Sequence, residues 1–307
     1  MSPSKNATLL KALSVEAASL SCQAAKNQFP VLLQPLAERR RVTAVEFRPL
    51  LVDAMLTTHP HGFRILFNSN GYDPVDLQER FKRESPERVM PSRLRFSLAH
   101  ELAHTLFYDL SDGTPQLARQ FRSGGGRTEL ENLERNCNKL AAQMLLPTPM
   151  LKVAFQRMKA VSPQALSELA QRAGVSIEVL MRRLGGQSTL LAHSDFRGCV
   201  VLLKETNKET TVTAIAKTPG VNIATGLQLM RPGERWQLAA SDGSLLEPSK
   251  LLSISIAKLT VETAQSSFQR SYQISQMQVG RSDSVAALLL AFEEIENLDR
   301  LPSLKPI

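Results

Sequence analysis

The sequence predicts an α+β chain: a mainly helical first part with a small antiparallel sheet, a helix-turn-helix-like module, and a β-rich α+β C-terminal domain. Three observations carry that reading. Apolar residues recur at helical spacing in residues 92–108 and again in 128–147. The stretch "GFRILFN", Gly62 to Asn68, alternates as a strand does. From Cys199 onward the texture changes to short β-rich runs separated by Gly, Pro, Asn and Asp turns. The boundaries that follow are 1–150, 151–187 and 188–307, in a chain long enough to bury more than one core.

Taken in order, residues 1–55 read as helical, with "VLLQPLAERRRV" amphipathic and Pro30 and Pro49 as punctuation. After the strand "GFRILFN", the segment "SNGYDP" is a breaker. A helix starts at Ser92. Its Leu98, Ala99, Leu102, Ala103, Leu106 and Phe107 fall on one side, and Ser97, His100, Glu101, His104 and Tyr108 fall on the other. "SDGTPQ" and "RSGGGR" are loops, and a second helix runs from about Thr128 to the stop at Pro147. "SPQALSELAQRAGVSIEVLMRRLGG" makes two short helices, the first broken by Gly174 and the second capped by Ser176. Strands are expected at "CVVLLK", "TTVTAIAK", "WQLAA", "LLSISIAK" and "RSYQISQMQV", and a terminal helix at "SDSVAALLLAFEEIENL".

The first thirty residues carry polar positions every few residues, so they read as an amphipathic helix rather than a signal peptide. The longest apolar run, Val285 to Phe292, is far short of the roughly 20 residues a bilayer crossing needs. Cys22, Cys137 and Cys199 show no paired spacing, which favours a reducing compartment. The expectation is a cytoplasmic protein without a membrane partner. Lys and Arg outnumber Asp and Glu by 25 to 17 in residues 1–187 and balance at 12 each in 188–307, so the first part carries the whole net charge of +8. Its only dense cluster is Arg39-Arg40-Arg41, and a solvated, mildly basic surface is preferred over a nucleic-acid footprint.

The chemistry concentrates in "FSLAHELAHTLFYDL". His100 and His104 stand four apart, one above the other on a helix, and their imidazoles can reach one ion. Glu101 is about a hundred degrees round from His100, beside that ion without ligating it. It is placed to act as a general base. A catalytic zinc needs a third protein ligand. Among Glu129, Glu131 and Glu134 on the second helix, Glu134 stands one turn before Asn138, which can hold a neighbouring ligand. Cys137 reads as a small buried filler rather than a thiolate ligand, and His59 and His61 of "THPHGF" as loop histidines.

"RFSLAHELAHTLFY" followed by "ENLERNCNKLAAQMLLP" resembles the signature of the ImmA/IrrE family of zinc metallopeptidases. In that family an HExxH helix is followed, after a variable loop, by a helix with an early Glu, a Cys/Ala-Asn step, an Ala-Ala pair and a Leu-Met-Pro-like end. The resemblance covers about residues 45–187 and implies a zincin-like domain. It implies zinc held by His100, His104 and Glu134, with Glu101 as the catalytic glutamate. Ala103 stands where Gly is frequent and Leu146 where Met is frequent; both are packing positions.

On this reading the chain is a zinc-dependent endopeptidase. By resemblance, its substrate is a helix-turn-helix repressor, cleaved in a stress or mobile-element response to relieve repression. "GFRILFN" is a candidate edge against which an extended substrate could pair, and it could equally be an interior strand. Tyr108, on the polar arc, could donate to an oxyanion. The C-terminal domain is left a sensing or substrate-holding role. The competing expectation is a DNA-binding transcriptional regulator with a structural or vestigial metal site. Arg182 and Arg183 would carry it, with Glu178 poorly suited to a phosphate-lined groove. DNA binding is the less favoured use of residues 162–186, which read as scaffold.

Overall fold

The computed structural model describes residues 5–111, 114–118, 127–158, 161–185, 190–193, 198–206, 209–217, 238–239, 245–246, 256–263, 266–279 and 286–292. The chain divides into two compact units, Met1–Ala154 with Leu169–Arg183, and Phe155–Glu168 with Leu184–Ile307. Both helices and strands contribute, so the α+β class holds.

The first unit opens with helices α1 (Lys5–Ala24) and α2 (Leu33–Arg39) and then turns to strand. Val42–Arg48 is β1, so residues 1–55 are not helical throughout. Val42, Val45 and Phe47 are buried along it, and β1 pairs in parallel with β3 (Gly62–Asn68), Val45 opposite Ile65. Pairing with β3 and burial of its apolar positions settle the strand conformation. β2 (Ala54–His59) pairs antiparallel with β3 through a tight turn that sets His59 opposite Gly62. The sheet order β1-β3-β2 is therefore mixed rather than antiparallel, and "GFRILFN" lies at its centre. The two edges are β1 and β2. Gly62 has φ +152, and a Cβ there would overlap the Arg41 carbonyl that accepts from Phe63 N–H at 2.9 Å.

"GYDP" breaks the strand and also starts a helix. Asp73 accepts from Val75 N–H at 2.9 Å and Pro74 takes the first turn of α3 (Pro74–Lys82). The helix at Ser92 is α4 (Ser92–Thr105), and the hairpin strands β4 (Tyr108–Asp109) and β5 (Gln116–Leu117) follow it. Part of the predicted "SDGTPQ" loop is thus strand, and Tyr108 has left the helix whose polar arc it was expected to share. "RSGGGR" lies outside the described residues up to 126. Next come α5 (Arg127–Leu145) and α6 (Thr148–Arg157). Leu98, Ala99, Leu102, Ala103 and Leu106 are all fully buried where α4 packs on α5, β2 and β3, and Cys137, Leu140, Ala141 and Met144 line the facing side of α5. Each buried Leu contributes roughly 2 kcal/mol of apolar burial. That core fixes which way the other face of α4 points.

The two helices of the predicted module are α7 (Pro163–Ala173) and α8 (Ile177–Gly185). Gly174 takes φ +66 between them, and Ser176 caps α8 by accepting from Val179 N–H at 3.3 Å.

In the second unit the described strands form one antiparallel sheet in the order β7-β6-β12-β11-β10-β8-β9. They are β6 (Gly198–Thr206), β7 (Glu209–Lys217), β8 (Leu238–Ala239), β9 (Leu245–Leu246), β10 (Ile256–Thr263), β11 (Ser266–Val279) and β12 (Ala286–Phe292). Val200 faces Ala216 and Leu202 faces Ala214 across β6 and β7, and all four are buried. β12 corrects the terminal helix: "AALLLAF" is a strand between β6 and β11, with Leu288 opposite both Leu202 and Met277. A continuous apolar run carries no period to separate a buried strand from a buried helix, and pairing on both edges decided for the strand. The rest of that predicted helix, and most of "WQLAA" and "LLSISIAK", lie outside the described residues.

Candidate metal centre

His100 and His104 of α4 come against α5 beside the apolar contact. There the Nε2 atoms stand 3.1 Å apart. Glu134 of α5 meets both, with Oε2 at 3.0 Å from His100 Nε2 and Oε1 at 3.5 Å from His104 Nε2. Four-coordinate ions with bonds of about 2.0–2.1 Å hold their ligand atoms about 3.3 Å apart. The separations found here bracket that value.

The hydrogen bonds behind the triad set the tautomers. His100 Nδ1 lies 2.9 Å from Asn138 Oδ1, a pure acceptor, so Nδ1 carries the proton and Nε2 presents a lone pair. That lone pair faces a carboxylate oxygen. Two acceptors at 3.0 Å repel unless positive charge lies between them, and two imidazole nitrogens with a carboxylate make a borderline-soft donor set suited to a divalent metal. The residues fit a metal ion. Burial, first of all, and then the neighbouring His100 hold His104 below the usual imidazole range, with Glu134 opposing. His104 is thereby kept in the neutral form that ligates.

Glu101 sits beside the triad, only 9% exposed. Burial pushes its carboxyl up, His100 draws it down, Glu134 pushes it up again, and the backbone N–H of Leu56 on β2 donates to it and lowers it. The net rise makes it a stronger base than a surface glutamate. Cys137 is fully buried, and burial drives its thiol far above the usual range. Its sulfur lies 3.5 Å from His104 Nδ1.

Two buried arginines, unforeseen from sequence, grip α4. Arg95 is fully buried against an equally buried Glu84, donates to Val31 O at 2.7 Å and to Gly174 O at 3.1 Å, while Glu84 also accepts from Leu33 N–H at 2.5 Å. At the C-terminal end of α4, Arg40 donates to Thr105 O at 2.5 Å and to Thr105 Oγ1 at 3.0 Å, where the helix dipole favours a cation. The Arg39-Arg40-Arg41 cluster is therefore split, its middle member turned inward.

The remaining candidates lie elsewhere. His59 Nε2 is 2.6 Å from Thr43 Oγ1, and its ring meets His61 edge-on at the β2–β3 turn, outside the triad. The Tyr108 ring packs edge-on against Phe63 at 5.2 Å. Glu131 is exposed and does not join the triad, and the Glu129 side chain lies outside the described residues. Arg182 is exposed and pairs with Glu178 at 2.7 Å. Arg183 is buried, donating to Leu146 O at 3.2 Å, Thr148 Oγ1 at 2.6 Å and Gln143 Oε1; burial pushes it down to about 10. One of the two side chains nominated to read DNA is thus committed to holding α8 against the ends of α5 and α6.

Part of the chain is similar to known proteins. Residues 86–185 match the model of the IrrE N-terminal-like domain of the M78 peptidases. The radiation response metalloprotease IrrE of Deinococcus deserti is 37% identical over 89 residues, 29% of this chain and 30% of that protein. The protein of the same name from Deinococcus radiodurans is 34% identical over 98 residues, 32% of this chain and 29% of that protein. This chain thus aligns with less than a third of the length of these relatives. A solved Mycobacterium tuberculosis transcriptional regulator is similar at a TM-score of 0.45 and 13% identity, covering 96% of this chain and 92% of that one. Among the described residues no helix is long and apolar enough to cross a membrane.

Proposed function

Because residues 86–185 belong to the ImmA/IrrE family through an IrrE N-terminal-like domain, we propose that this chain is a zinc-dependent endopeptidase with a zincin-like catalytic domain. The observation that carries the reading is the convergence of three lone-pair donors, His100 Nε2, His104 Nε2 and a Glu134 oxygen, beside a buried Glu101. Those three side chains would hold the ion. Zinc, when bound, supplies positive charge that acidifies water and polarises a peptide carbonyl. Glu101 takes the proton from the attacking water and hands it to the leaving amine. Asn138 keeps His100 in the ligating tautomer.

An extended substrate would pair with β2 rather than β3. Leu56 N–H, on the side of β2 away from β3, already reaches Glu101, and Ala54 and Thr58 present their backbone groups along the same edge. The substrate we assign is a helix-turn-helix repressor, cleaved in the cytoplasm under stress, and the naming of the Deinococcus relatives for a radiation response supports the stress context. Residues 188–307 are assigned a sensing or substrate-holding role, and 151–187 a scaffold role beside the 1–150 peptidase domain. Burial of Arg183 counts against the regulator alternative. Zinc content measured on the purified chain tests the reading. The wild type should carry one zinc, His104→Ala and Glu134→Ala should lose it, and Glu101→Gln should keep it while losing cleavage of a candidate repressor. A Glu101→Gln protein that still cleaves overturns the mechanism.

A further inference from the structure

We infer that Cys137 is a positioning residue for the metal centre, its sulfur accepting the Nδ1–H of His104 and so aiming the Nε2 lone pair at His100 and Glu134. The inference rests on the proposed zinc site and concerns a side chain that the sequence presents as filler. A neutral imidazole has one N–H, and a His that ligates through Nε2 must carry it on Nδ1. The proton then needs an acceptor. For His100 that acceptor is Asn138 Oδ1 at 2.9 Å, and at the matching place on His104 stands Cys137 Sγ at 3.5 Å, an ordinary length for a contact to sulfur.

The arrangement follows from helical spacing. Glu134, Cys137 and Asn138 are at i, i+3 and i+4 of α5, one above another on the face that meets the polar face of α4. One helix thus contributes a ligand and the two groups that orient the other ligands. A filler would need only volume at this position. The sulfur is instead directed at the one ring nitrogen of His104 that does not face the triad.

Sulfur is a weak acceptor, so the expected effect is at the low end of what partners behind metal-bound histidines contribute, about tenfold in metal affinity. Zinc affinity of the full chain, measured by competition with a chromophoric chelator, tests it. Cys137→Val and Cys137→Ala should bind zinc about tenfold more weakly, and Cys137→Ser, whose hydroxyl also accepts from Nδ1–H, should recover most of the loss. Equal affinity in all four proteins overturns the inference and leaves the zinc site standing. A wild type that takes up no zinc overturns the proposed function, and this inference with it. Should the variants fail to fold, the zinc-loaded wild type decides alone. Its His104 Nδ1–H should give a resolved proton resonance with cross-relaxation to the Cys137 Hβ protons, and a resonance averaged with water refutes the contact.

Discussion

Gly174→Ala places a methyl group where two separate costs can be worked out. The residue sits at φ +66, a left-handed conformation that costs an L side chain about 1 kcal/mol. The added Cβ would also stand 2.9 Å from Arg95 Nε, the donor to the Gly174 carbonyl. Arg95 has nowhere to go. It is fully buried between Glu84 and Val31 O, so relief of the overlap breaks a charged hydrogen bond worth about 2 kcal/mol. The sum is about 3 kcal/mol, or about a hundredfold faster exchange of the slowest α4 amides, which open with the unit as a whole. Gly71→Ala is the internal control: φ is +83, yet nothing lies within 4 Å of the added carbon, so only the conformational cost remains, about fivefold in exchange. Hydrogen-exchange mass spectrometry on both variants separates the terms. Equal losses at the two glycines would refute the claim that Arg95 is locked against the α7–α8 turn.

Arg183→Ala should destabilise the first unit by about 3 kcal/mol by orphaning Gln143 Oε1 and the Leu146 carbonyl, whereas Arg182→Ala, which removes an exposed pair, should stay within about 0.5 kcal/mol. Thermal unfolding of the two variants reads the contrast, and the reverse ranking would show α8 to be turned the other way. Asn138→Ala should weaken zinc binding by 10- to 100-fold with little change in unfolding, since the side chain is exposed and meets His100 Nδ1; chelator competition measures it. The double variant His59→Ala with His61→Ala should keep a full complement of zinc by atomic absorption. Loss of the ion there would mean that the β2–β3 turn supplies a ligand after all.

The triad could be read from the sequence because its information is local. The i, i+4 spacing of His100 and His104, the apolar arc opposite them, and the turn separating Glu134 from Asn138 are all contained within single helices, and helical geometry converts such spacing into direction. What escaped depends on partners far along the chain. β1 and β12 are strands because of what lies beside them, Ile65 for one and Leu202 with Met277 for the other. Arg40, Arg95 and Arg183 belong to the residue types least often buried. Each is drawn inward by carbonyls or a carboxylate contributed from elsewhere in the chain, and no window of sequence around the arginine records that. Cys137 is buried, as its apolar neighbours in the sequence imply, yet its sulfur's approach to His104 follows only from the way α4 and α5 face each other.

Because Glu134, Cys137 and Asn138 ride on one rod and both imidazoles on another, an ion held by the triad would rivet α4 to α5. A turn of α5 by one residue, about a hundred degrees, would withdraw the ligand and both orienting groups in a single movement. Release of such an ion and loosening of that helix pair would then be one event, and its occupancy would gauge how tightly the two rods are seated.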